Sequence, residues 1–123
     1  MRGIAAFRTT VIDCANPRKL AEFYSQLLGW PVDYQDEGWV VVTDGGSPAR
    51  LAFQRVDEYR PPIWPRSERP QQLHIDVTVE DLDAAEKAVL DIGATKHDHQ
   101  PSEDDSFRVF LDPAGHPFCL CRD

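Results

Sequence analysis

His74 and Asp76 are the residues of this chain whose types and spacing best suit chemistry, standing two apart in the run Leu73 to Val79. Side chains alternate along a strand, so both project from the same face. A carboxylate beside an imidazole orients the ring, which can then serve as general acid or base, ligand hydrogen-bond donor, or metal ligand. The plainer alternatives are a strand histidine satisfied by a backbone carbonyl and a solvated acid. Cys119 and Cys121 are also two apart. With His74 they could form a soft zinc or copper site, or they are two small buried hydrophobes. Their alternation on an extended strand opposes a disulfide between them. His97-Asp98-His99 reads as a solvated loop, and His116, just after the Gly115 turn, reads as exposed.

The elements that must position these residues are nearly written twice. Asn16-Pro17 opens a helical stretch that closes at Leu28-Gly29, and Glu80-Asp81 opens another that closes at Ile92-Gly93. Ala21, Glu22, Leu28 and Gly29 fall on Ala85, Glu86, Ile92 and Gly93, 64 positions later without a gap. In the first helix Asn16 suits the N-cap and Pro17 the first helical position. Leu20, Phe23, Tyr24, Leu27 and Leu28 give it one apolar stripe; Leu82, Ala85, Val89 and Ile92 give the second a smaller one. Strands are expected over 4–14, 31–34, 39–43 and 50–56, then over 73–79, 95–97, 107–111 and 117–121. The pattern predicts an α+β chain of two tandem βαβββ modules, forming a cupped mixed β-sheet with one helix packed per module. Module 1 covers about 4–56, a proline-rich linker 57–71, and module 2 about 72–123, together one domain.

Composition narrows the partners. Hydrophobic residues make up 41% of 123, which is globular, and the net charge is −8. Residues 1–61 carry −1 and residues 62–123 carry −7, with no Lys/Arg stripe. Nucleic acid is therefore not an expected partner, because phosphate contacts supply most of that affinity. No run is long enough to span a membrane and none has a signal-peptide layout, so the expected location is the cytoplasm. The three cysteines fit a reducing compartment.

A cleft between two curled half-sheets is the expected address for a small organic ligand. Trp39, Phe53 and Phe107 lie on the strands that would form the cup, and Trp64 on the linker that would rim it. Such side chains stack on planar rings and attract cations. Gln54, Gln72, Asp76 and Arg108 could orient the ligand. No Gly-rich phosphate loop, nucleophile elbow, HExxH or CxxC occurs.

FYSQLLGW at 23–30, LHIDV at 73–77, DLDAAEKAVLDIGA at 81–94 and DPAGHPFCLC at 112–121 occur in an order that resembles the vicinal oxygen chelate superfamily, in its glyoxalase-like and bleomycin-resistance-like branch. The resemblance implies the fold of glyoxalase, bleomycin-resistance and dihydroxybiphenyl dioxygenase proteins, and a homodimer. In metal-using members, His, Gln or Glu on the first and last strands of each module hold a divalent ion. Carried over, these positions are His74, Cys119 where a Glu is usual, and Gln54 in module 1. The remaining one falls among Thr9, Thr10 and Val11, the ungapped offset giving Thr10. The resemblance thus implies a small-molecule binder without the complete metal site and with no resident cofactor; Cys119 could contact the ligand and His74 act as acid or base. Glyoxalase I activity is not expected, since its carboxylate position is Cys119. The alternative is a lyase, isomerase or dioxygenase holding zinc, nickel, manganese or iron through His74 and Gln54, with Cys119 or water completing the set.

Overall fold

The computed structural model of the chain describes Gly3, residues 8–45 and residues 49–122. The expected strand residues 4–7 and turn residues 46–48 lie outside that set. The chain divides into two compact units, Met1–Tyr59 and Arg60–Asp123, meeting within the proline-rich stretch.

In the first unit β1 (Thr10–Cys14) leads to α1 (Pro17–Leu28), then β2 (Val32–Gln35), β3 (Trp39–Thr43) and β4 (Arg50–Arg55). The sheet order is β1-β4-β3-β2, with β1 parallel to β4 and the other pairs antiparallel. A parallel pair needs a crossover between its strands, which α1 and the β2–β3 hairpin provide. Asn16 caps α1 by accepting the Lys19 N–H at 3.1 Å, and Gly29 ends it at φ 73°, donating its N–H to the Ser25 carbonyl at 2.8 Å. That left-handed conformation is cheap only for glycine. Leu20, Ala21, Phe23 and Tyr24 are buried, and Tyr24 stacks on Phe53 of β4 at 5.5 Å. Leu27 and Leu28 of the expected stripe are only half-buried.

The second unit repeats the plan: β5 (Ile75–Val79), α2 (Leu82–Asp91), β6 (Thr95–Lys96), β7 (Phe107–Leu111) and β8 (Pro117–Arg122), in sheet order β5-β8-β7-β6. Asp81 caps α2 by accepting the Ala84 N–H at 3.1 Å. Leu82 and Val89 bury fully, while Ala85 and Ile92 are half-buried. Phe110, Phe118 and Leu120 fill the core beneath the helix.

Two histidines differ from their expected solvated state, and a glutamine beside them takes on a structural part. His97 approaches the Trp64 carbonyl through Nε2 at 2.8 Å, and its Nδ1 accepts the His99 N–H at 2.9 Å. The ring therefore carries its proton on Nε2 and pins the proline-rich stretch. His116 is half-buried, its Nδ1 2.8 Å from an oxygen of the buried Asp112 carboxylate. Gln100 takes a strand's place at the edge of β7: its amide accepts the Val109 N–H at 2.8 Å and donates to the Val109 carbonyl at 2.7 Å. Pairing needs are satisfied there by a side chain, which residue patterns do not reveal.

Candidate functional site

Strand pairing decides which side chains share a face. In the second sheet Ile75, Phe118 and Phe110 form one rung, and the next holds Asp76, Cys119 and Val109. Phe110 and Phe118 point to the helix side, where Arg108 of the same face reaches Glu86 and Asp83 of α2. The opposite, helix-free face carries Asp76, Thr78, Cys119, Cys121 and Phe107, with His74 one residue before β5 begins.

His74, Asp76 and Cys119 come together there, each offering one ligand atom with all three within 4.8 Å of one another. His74 Nε2 stands 3.3 Å from Asp76 Oδ1, with the side chains 41% and 60% exposed. The contact sets an imidazole beside a carboxylate, and a ring nitrogen can give or take a proton or hydrogen bond. Cys119 is buried beside them. Burial, first, and then the charge and hydrogen bonding of Asp76 push its thiol up to about 12. Cys121 is raised as well, by partial burial and the charge of Asp76. A thiol so raised is protonated and unreactive at neutral pH.

The other expected ligand-contacting residues scatter. Phe53 does not line a cup: it is fully buried against Tyr24 on the helix side of the first sheet, because its rung mates Ile12 and Val40 face the helix too. Arg108 is likewise on its sheet's helix side, held by Asp83 and Glu86 at 3.0 Å and Asp105 at 2.7 Å. Three carboxylates raise its pKa further and leave it no freedom to meet a ligand. Trp64 packs its ring against His97 and His99, each at 5.1 Å. Gln72 is exposed in the segment before β5, beside the exposed Leu73. In the first unit, Trp39 and Gln54 share a rung with Asp13 on the helix-free face.

Register also settles the partner of His74 in the first unit. The rung Ile12–Phe53–Val40 corresponds to Ile75–Phe118–Phe110, each with a fully buried Phe in the strand parallel to the first. Asp13 then matches Asp76, Gln54 matches Cys119, and Val11 matches His74. The expected Thr10 lies on the opposite face, since a slip of one residue reverses every side chain. The four positions implied by the resemblance are therefore Val11, Gln54, His74 and Cys119. Valine cannot ligate and a buried thiol is a soft donor, so the usual hard-metal set does not fit.

Residues 9–121 match the model of the glyoxalase-like domain family. No curated protein matches the chain in sequence. Among solved structures, the chain is similar to a glyoxalase/bleomycin resistance protein/dioxygenase family enzyme from Burkholderia phytofirmans PsJN, at a TM-score of 0.71 and 15% identity over 96% of this chain and 98% of that one. A genomically encoded fosfomycin resistance protein from Listeria monocytogenes gives a TM-score of 0.70 and 13% identity over 98% and 95%. The bleomycin-binding protein of Streptomyces verticillus, solved with copper(II)-bleomycin, gives 0.58 and 15% over 98% and 99%. The match over nearly the whole chain shows that this protein belongs to the glyoxalase-like domain family, its two βαβββ units having the vicinal oxygen chelate fold.

Proposed function

We propose that this protein binds a small organic molecule, aromatic or cationic, against the helix-free face of its second sheet. The observation that carries the reading is the exposed His74–Asp76 pair at 3.3 Å beside Cys119. Even a fully charged exposed pair contributes only about 0–1 kcal/mol to stability, so the fold gains little by holding these groups there. The His74 ring offers a nitrogen to a polar group of the ligand, and the neighbouring Asp76 carboxylate attracts a positive charge. Phe107, on the same face, supplies apolar contact beside this polar centre. Glyoxalase I chemistry is not part of the proposal, because the Cys119 thiol holds its proton where that reaction calls for a carboxylate base.

The same reading takes the protein as a homodimer working in the cytoplasm. The family resemblance supports the pairing, and three cysteines outside any disulfide support a reducing compartment. The test is thermal melting of chelator-treated protein against a panel of aromatic and cationic heterocycles. At least one should raise the melting temperature of the wild type, and His74→Ala should lose that shift while melting unchanged by itself. A panel without a single shift, or an undiminished shift in His74→Ala, would overturn the reading.

A further inference from the structure

We infer that Arg50 anchors the carboxylate of a small monoanionic molecule on the helix-free face of the first sheet, the molecule's apolar part lying against Val11. The inference uses none of the residues of the proposed function. Register places Arg50 at the head of β4, paired with Thr43 of β3, and alternation along β4 sets it on the face opposite Phe53. Among the described residues no carboxylate makes an ion pair with its guanidinium, and its buried Nε has no acceptor. Thr43, its rung mate, is taken up by the turn: the hydroxyl donates to the Ala49 carbonyl at 2.9 Å and accepts the Gly45 N–H at 3.2 Å. Arg108 of the second sheet shows the usual arrangement, held by Asp83, Glu86 and Asp105. A buried donor on a charged group is costly without an acceptor, so one left unpaired calls for an acceptor from outside the chain.

The chemistry of the anchor sets the class of ligand. A guanidinium presents its donors in a planar fork that matches the two oxygens of a carboxylate. One cation matches one negative charge, and a chain of net charge −8 repels a dianion. The next rung on the same face is Val11, Ala52 and Val41, wholly apolar. Ala52 and Val41 are buried, while Val11 is 37% exposed and offers apolar contact one rung from the charge. The carboxylate therefore meets Arg50 while a short apolar body, a single ring or a branched chain, reaches Val11. Counting back from the matched pair Gln54 and Cys119 puts Gly115 at the place of Arg50 in the second unit, so the site belongs to one unit and not to the repeat.

Titrating the full, nitrogen-15-labelled chain with benzoate, and in parallel with its neutral isostere benzamide, tests this by magnetic resonance. The arginine Nε–H signal that disappears in Arg50→Lys belongs to Arg50; in the wild type it should shift saturably with benzoate, together with the Val11 amide. Benzamide should bind more weakly by about tenfold or more, the loss expected when hydrogen bonds to a charged group are removed. Arg50→Gln should lose benzoate affinity by a similar factor, and Arg50→Lys, which keeps the charge without the fork, should fall between. His74→Ala should bind benzoate as the wild type does. No saturable shift, equal binding of benzamide, full affinity in folded Arg50→Gln or Arg50→Lys, or loss of binding in His74→Ala would each overturn the inference. Failure of the proposed function is distinguishable, because its ligand shift depends on His74 and not on Arg50.

Discussion

The two units share a strand order and a rung pattern, yet they present different chemistry on the face that each helix leaves open. In the first, the rung of Asp13, Gln54 and Trp39 offers an acid, an amide and an indole, and Val11 stands where an imidazole could be. In the second, Asp76, Cys119 and Val109 occupy the rung and His74 precedes it. The helix-side residues diverge less: Ile12 and Phe53 answer to Ile75 and Phe118, and both phenylalanines are fully buried. Core positions are constrained by packing density, whereas an open face can change its donors at little cost to the fold. Duplication supplied two frames, and only one of them acquired a His–Asp–Cys cluster.

The comparison can be broken first at the cores. Phe53→Ala and Phe118→Ala should each cost about 3–5 kcal/mol, read by denaturant unfolding. A much smaller loss in one unit would show that its core is not the equivalent of the other. Next come the turn glycines. An added Cβ at Gly115, at φ 90°, would meet Pro61 Cβ at 2.6 Å, whereas at Gly29, at φ 73°, it would meet nothing within 4 Å. Gly115→Ala should therefore cost more than the roughly 1–2 kcal/mol expected of Gly29→Ala from the left-handed backbone alone, and equal losses would remove the Pro61 contact from the account.

The caps should be nearly interchangeable. Asn16→Ala and Asp81→Ala should each lower stability by about 1 kcal/mol, measured as the shift in unfolding midpoint. On the open faces the effect on stability should be smallest and the effect on chemistry largest. Asp76→Asn removes a negative charge and a hydrogen-bond partner that raise the Cys119 pKa, so alkylation of Cys119 should speed up at pH 8, while Asp13→Asn leaves it unchanged. The pH dependence has a definite sign. The folded state raises Cys119 from an ordinary 9.0 to about 12, so its contribution is complete below 9 and is lost as pH rises toward 12. Cys119→Ser should flatten that part of the alkaline stability profile. Finally, Val11→His should change stability by no more than about 0.5 kcal/mol, and any gain in metal or ligand binding would show how little separates the two faces.

Local chemistry was legible along the chain. Asn16, Pro17 and Gly29 announce the ends of α1, the run Trp39 to Thr43 announces β3, and the spacing of His74 and Asp76 places them on one face whatever the sheet. These signals depend on backbone preferences within a few residues, so no fold is needed to read them. Pairing between distant strands is not written locally. The ungapped offset that aligns the helices pointed to Thr10, but β1–β4 hydrogen bonding shifts the match to Val11 and turns the opposite face toward the site side. Phe53 and Arg108 were drawn to the helix sides of their sheets for the same reason, one by the ring of Tyr24 and the other by the carboxylates of α2 and Asp105. Composition and periodicity determined the repeated βαβββ plan; only tertiary structure decided that His74, Asp76 and Cys119 meet, because a strand's partner is chosen by register across 42 intervening positions that carry no local record of it.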